Sequence, residues 1–292
     1  MSPCPHGLPA LLGGWLVEEL AGPAAELHAS SAALLDPTDA GAVVRRVRLL
    51  YASRPAVVLG SAQPDEVVDR DRAVRLGFEV ARRRSGGGAV LVGPGESVWV
   101  DLVVPRGDPL WSEDVGTSMA WVGQLWSEAL AGIAPAGIAP EGIAPAELSV
   151  WEGPMLRGPW SELVCFAGVG PGEVLLGAPG MPRRGPREPW TGRGRPAGPG
   201  PKLVGVSQRR SRAGALFQSA ALLRWRPSDL LDVLALDPSA RRRAVSEVAP
   251  VAWGLGPEHA DAVVAAFLAA LESRTGGQAA LPGHRIEGAG TG

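Results

Sequence analysis

Two short stretches hold the residue types that could work on an acyl or phosphoryl group. In RRRSGGGAV, Arg82 to Val90, three cationic side chains run into three consecutive glycines. Gly86, Gly87 and Gly88 carry no Cβ, so their backbone can take positive φ and turn several N–H groups toward one oxyanion or acyl carbonyl. The neighbouring arginines would add charge-assisted, bidentate hydrogen bonds. Alone, the run serves equally well as a tight turn with solvated arginines.

The second stretch, PKLVGVSQRRSRAGALFQSAALL from Pro201 to Leu223, opens on Lys202, the only lysine of the chain. An ammonium is a compact, flexible point charge, which a guanidinium is not. A bias toward arginine explains why lysine is scarce but not why one is kept at a strand entrance. The ordinary alternative is a surface lysine.

Together the two stretches resemble the lipoate and biotin attachment superfamily, in particular the lipoate protein ligase A and octanoyl (lipoyl) transferase family. Its RR-x-SGG-x-AV turn stands here as Arg83 to Val90, and its K-x-x-G-S-x-Q-R strand as Lys202, Gly205, Ser207, Gln208 and Arg209. The likeness runs from about residue 24 to 270 and includes PAVVLGSAQ ahead of the first motif. It implies an α/β (α+β) fold with mixed or antiparallel sheets flanked by helices, the catalytic domain of biotin and lipoate ligases. It implies lipoyl or octanoyl attachment to a lysine of an acceptor domain. Substrate binding would fall to Arg83, Arg84, Ser85, Gly86, Gly87, Gly88, Ala89, Gly205, Ser207 and Gln208. Lys202 would be catalytic, an ammonium at a pocket mouth that can be removed with little loss of fold.

In the transferase branch a Cys-Phe pair upstream of the lysine strand carries the acyl group. SELVCFAGVGPGEVLL places Cys165 and Phe166 in that order, which implies a Cys165 thioester charged from an acyl carrier, with no cofactor. In the ligase branch the same lysine holds an acyl adenylate made from ATP with magnesium. On generic grounds Cys165 is also read as a buried residue of a strand ELVCFAG. His6, His28, His259 and His284 adjoin neither motif. Where the family continues H-D-x-G, this chain has Val92, Gly93, Pro94 and Gly95, then Glu96; its Q-H-G becomes Gln218, Ser219 and Ala220. These departures keep open a noncatalytic acyl or nucleotide binding module.

The elements that must position these residues follow from pattern. Residues 23 to 35 read as a helix, RRVRLLYA and AVVLG as strands, and Pro64 to Leu76 as a helix stopped by Gly77. FEVARRRS and AVLV read as strands flanking the glycines, followed by the buried strand SVWVDLVV. Between Ser112 and Leu130, Val115, Met119, Val122, Trp126 and Ala129 form an amphipathic seam. DLLDVLALD and 258–273 read as helices. The chain is therefore expected as an N-terminal segment over 1–22, one catalytic domain over 23–275 and a flexible tail over 276–292. Disordered insertions are expected near 132–146, where GIAP repeats, and 177–201, where arginines crowd.

Composition sets the remaining bounds. A chain of 292 residues, 46% hydrophobic with net charge -2, can bury a sizeable core. It lacks the basic excess of a general nucleic-acid binder. The amino terminus reads as neither signal peptide nor membrane span. Two cysteines give no disulfide framework, so a reducing cytoplasm is expected, with no metal centre, nucleic acid or membrane among its partners.

Overall fold

The expected strands assemble into two sheets in a computed structural model that describes residues 10–35, 43–131, 133, 148–177 and 200–275. In chain order the elements are β1 (Ala10–Leu12), β2 (Trp15–Gly22), α1 (Ala24–Ala33), β3 (Arg46–Ala52), β4 (Ala56–Leu59), α2 (Arg70–Arg75), β5 (Glu79–Arg82), β6 (Val90–Val92), β7 (Ser97–Pro105), α3 (Val115–Ala131), β8 (Leu148–Val150), β9 (Val174–Leu176), β10 (Lys202–Arg210), β11 (Gly214–Leu222), α4 (Pro227–Val233), α5 (Pro238–Val248) and α6 (Ala260–Thr275). Eight strands form the large sheet in the order β1-β2-β3-β7-β11-β10-β9-β8, and β5-β4-β6 form the small one. Among the described strands, only β2 with β3 and β4 with β5 run parallel. This is the mixed α/β architecture the sequence implies.

Alternation along the central strands divides the large sheet into two chemically different faces. Val98, Val100, Leu102 and Val104 of β7, with Val47 and Leu49 of β3, pack against Val122, Leu125 and Trp126 of α3 and Phe267 and Leu271 of α6. That face is the main core. The opposite face carries Trp99 and Asp101 of β7, Arg48 of β3 and Gln218 of β11, and every one of them has a partner in register on the next strand. The second face meets α1, where Leu27 packs on Leu50 and Trp99.

Several expectations change. The helix expected over 64–76 is broken: Asp65–Val67 make one 3₁₀ turn, Val68 is extended and bridges Leu234, and α2 starts only at Arg70, where Asp69 caps it by accepting from the Arg72 amide. Val115 leaves the seam and is exposed, while Leu125 and Leu130 join it. The strand alternative for ELVCFAG gives way to a 3₁₀ turn over Cys165–Ala167. Within the expected N-terminal segment, Ala10–Leu12 and Trp15–Gly22 are strands of the large sheet, with Trp15 fully buried and its indole N–H donating to Thr275 Oγ1. Helix α5 was missed because ARRRAVSE looks polar, yet Asp237 caps it and Ala244 and Val248 are buried. Most of the two expected insertions, the tail, Cys4, His6 and His284 lie outside the described residues. No helix among the described residues is long and apolar enough to cross a membrane.

Candidate active site

The glycine run is a crossover, not a hairpin. Strands β5 and β6 flank β4 in the small sheet, so the chain from Arg82 to Val90 must pass over the end of β4. There it meets Gly60: a Cβ built on Gly60 would fall 1.9 Å from the Gly87 carbonyl oxygen. Gly87 has φ +99°, which disfavours any side chain. Gly88 is needed for a different reason, since a Cβ there would lie 2.6 Å from the Val164 nitrogen. Gly86 faces open space. None of the three amides donates to a backbone carbonyl of the described residues. Gly87 is thus required by its left-handed backbone and Gly88 by close backbone approach.

The arginines divide. Arg83 is buried, and its guanidinium donates to the carbonyls of Gly86 (2.8 Å), Gly88 (2.8 Å) and Val58 (3.3 Å). It therefore holds the loop in shape from inside. Arg82 donates to the carbonyls of Gly60 and Gln63 and pairs with Asp65. Arg84 is exposed beside the loop. Of the two arginines the sequence offers as ligand groups, Arg83 is buried within the loop and Arg84 is exposed.

Cys165 closes the site. Ala89 and the chain at Val164 form a parallel bridge, with the Ala89 amide donating to Leu163 and the Cys165 amide donating to Ala89. This stitches the glycine loop to the Cys165 turn. The half-buried Cys165 aims Sγ at the loop, 3.7 Å from Arg83 Nη2 and 3.8 Å from where a Gly87 Cβ would sit.

Lys202 approaches from the other side, and not as expected. A bulge at Lys202/Val204 against β9 puts Leu203 and Val204 both into the main core, so Lys202 shares its face with Gly205 and Ser207. Its side chain is 1% exposed, so it is interior and not at a pocket mouth. Nζ donates to the Cys165 carbonyl (3.1 Å), the Gly168 carbonyl (2.8 Å) and Glu173 Oε2 (2.8 Å), and lies 4.7 Å from the centre of the Phe166 ring. An ammonium has three donors, and all three are taken. Burial pushes the Glu173 carboxyl above the ordinary carboxylate range, and the Lys202 charge is the largest influence opposing it.

Gly205 lies under Phe166, with 3.2 Å between a built Cβ and Cζ. Ser207 Oγ meets Ser85 Oγ at 3.2 Å and thereby joins the two motifs directly. Gln208 is not brought to the site: alternation turns it to the other face, where it bonds Ser118 of α3. Glu96, which follows the four residues that stand in place of H-D-x-G, is tied to Arg226 and Arg224. The structure thus gathers Ser85, the glycine loop, Cys165, Lys202, Gly205 and Ser207, and separates Gln208.

Sequence reading missed three neighbours. Glu173 is the only acid between Phe166 and Leu176, and a buried lysine needs one; that signal was available. His28, remote from both motifs in sequence, packs 4.4 Å from Trp99, and burial together with the Arg83 charge pushes its pKa down to about 3. It is neutral and a weak base. Asp101 is fully buried and accepts from Trp99 Nε1 and Gln218 Nε2, yet burial outweighs these bonds and raises its pKa to about 6. Glu18, Arg48, Asp101, Gln218 and Ser207 are successive register partners, so a polar row crosses five strands and ends at Ser85.

Comparison with known proteins bears on the family and the fold. The family model for the lipoyl protein ligase A/B catalytic domain matches residues 24–255. The fold is similar to a bipartite lipoate protein ligase of Thermoplasma acidophilum, at TM-score 0.59 and 18% identity over 90% of this chain and 84% of that one. It is also similar to a lipoate-protein ligase A bound with ATP, at TM-score 0.57 and 17% identity over 90% and 85% of the two chains. No curated protein matches the chain in sequence.

Proposed function

Because the chain belongs to the lipoyl protein ligase A/B catalytic-domain family, we propose that it attaches a lipoyl or octanoyl group to a lysine of an acceptor domain through a thioester on Cys165. One observation carries this reading: the half-buried thiol stands over the glycine loop, 3.7 Å from the Arg83 guanidinium, on a turn held by Lys202. After the Cys165 thiol gives its proton to solvent, the thiolate attacks the carbonyl of an acyl-carrier thioester; the carbonyl bond to the carrier sulfur breaks, acyl-Cys165 forms, and the carrier leaves as a thiolate that takes up a proton from solvent. The acceptor lysine amine then attacks acyl-Cys165, an amide forms, and the Cys165 thiol is released. The first exchange is nearly balanced in free energy and needs no ATP.

Each step passes through an oxyanion, for which the Gly86 and Gly87 amides are the candidate donors, since neither donates to a backbone carbonyl of the described residues. Losing one such donor typically slows a reaction by roughly 10² to 10³. Lys202 can join them only by giving up one of its three present acceptors. His28, whose basicity burial and the Arg83 charge both reduce, is poorly suited to act as general base.

A second reading, an ATP-dependent ligase through an acyl adenylate with magnesium, is favoured by the exposed Arg84 beside the open Gly86, which together suit a phosphate. The two readings separate in one assay. Acceptor domain is incubated with enzyme and either octanoyl carrier protein or octanoate, ATP and magnesium, and the acceptor is weighed. The transferase reading expects the octanoyl mass from the carrier without ATP and its loss in Cys165→Ser. Modification that needs ATP and survives Cys165→Ser would establish the ligase reading in its place, and no modification by either route would favour a noncatalytic binding module.

A further inference from the structure

We propose that Glu173 is a positioning residue: its carboxylate is the counter-ion that draws Lys202 onto the carbonyls of Cys165 and Gly168 and so sets the Cys165 turn against the glycine loop. Its bearing on acyl transfer rests on the reading above, but the pairing itself does not. Two of the three Lys202 acceptors are carbonyls of the segment that carries Cys165. Carbonyl dipoles satisfy N–H groups but do not neutralise a charge, and the surroundings cannot either: Phe166, Leu222 and Ala252 are all buried and apolar. Glu173 supplies the neutralising charge at 2.8 Å and is itself 6% exposed. It is fixed in turn by the Gly170 amide, 2.7 Å from Oε2. The loop from Gly168 to Glu173 therefore folds back so that one carboxylate oxygen receives both the ammonium and its own backbone. Without that charge, a lysine in this setting is stable only by losing its proton or by swinging toward solvent. Either change frees the Cys165 carbonyl.

The chain offers a direct readout, because Lys202 is its only lysine. Protein labelled with ¹³Cε-lysine and carrying a lysine-free tag gives one Cε resonance, whose pH titration reports the ammonium without any substrate. The titration is compared among wild type, Glu173→Gln and Glu173→Asp, with thermal melts showing that each is folded. Octanoyl transfer is followed alongside.

The expected result is that Glu173→Gln, which keeps the shape and removes the charge, moves the titration midpoint down by one pH unit or more, and that Glu173→Asp restores most of it. In transfer, Glu173→Gln lowers kcat about tenfold or more with KM little changed, and adds no further loss to Lys202→Met. An unchanged Lys202 titration in folded Glu173→Gln overturns the proposal, as does an equal loss of transfer in the Lys202→Met background. If the titration shifts while wild type transfers nothing, the pairing stands and the acyl-transfer reading has failed. Should Glu173→Gln not fold, Glu173→Asp carries the same comparison through a smaller shift in the same direction.

Discussion

At the scale of single residues, the decisive change from expectation concerns Lys202. A lysine at a pocket mouth can be removed without harm to the fold, whereas one paired with Glu173 in the interior cannot. Removing one partner of a buried ion pair strands the other charge and typically costs roughly 3 to 5 kcal/mol. Lys202→Ala is therefore expected to melt well below wild type, and the double variant Lys202→Met with Glu173→Gln to recover much of the loss. Differential scanning fluorimetry on the three proteins decides this. Equal melting of Lys202→Ala and wild type would mean that the pair contributes nothing to stability. The residue types of the site were legible in the sequence because Arg, Gly, Lys and Ser stand in a recognisable order. Glu173 was not, because its meaning depends on Lys202 being buried, and burial follows from a bulge that no residue pattern announces.

At the scale of elements, the glycine loop and the Cys165 turn form one unit through the bridge between Ala89 and Val164. The glycines are unequal in that unit. Gly88→Ala would drive a methyl group into the Val164 backbone, so it should cost about 1 to 3 kcal/mol as an overpacking change and shift the Cys165 turn. Gly86→Ala meets nothing and should stay within about 0.5 kcal/mol of wild type. Chemical denaturation with a transfer assay measures both; comparable loss in the two variants would contradict the assignment of Gly88 to close approach. The strands bordering this loop were readable from composition and alternation. Their order was not: two strands joined by a glycine turn suggest a hairpin, while the structure inserts β4 between them. Sequence periodicity fixes which residues share a face, but neighbour relations depend on long-range pairing.

At the scale of the whole molecule, the polar row from Glu18 to Ser207 runs through the face of the sheet that meets α1, and Asp101 is its buried centre. Burial raises the folded pKa of Asp101 from 3.8 to about 6. Between those values the folded protein holds a proton that the unfolded chain has released, so this group's contribution to stability is present below pH 3.8 and is lost as pH climbs through about 6. A shift of about two pH units corresponds to about 3 kcal/mol. The stability difference between Asp101→Asn and wild type should therefore move in favour of the variant from pH 4 to pH 7. A difference that is flat with pH would contradict the buried, proton-holding Asp101. The sheet was legible as strands, yet its first members were not, because Trp15–Gly22 look like a loose terminus until Trp15 is seen beneath Thr275. An aspartate inside the apolar run SVWVDLVV was the available sign that the second face of the sheet is polar.

The central claim is that Cys165 carries the acyl group, and intact-mass measurement tests it most directly. Wild-type protein mixed with an octanoyl thioester donor, without ATP and without acceptor, should gain one octanoyl mass, which peptide mapping places on Cys165 and which disappears when acceptor domain is added. Cys165→Ser should gain none. A wild-type protein that stays at its own mass under these conditions, yet modifies the acceptor once ATP and free octanoate are supplied, would contradict the account.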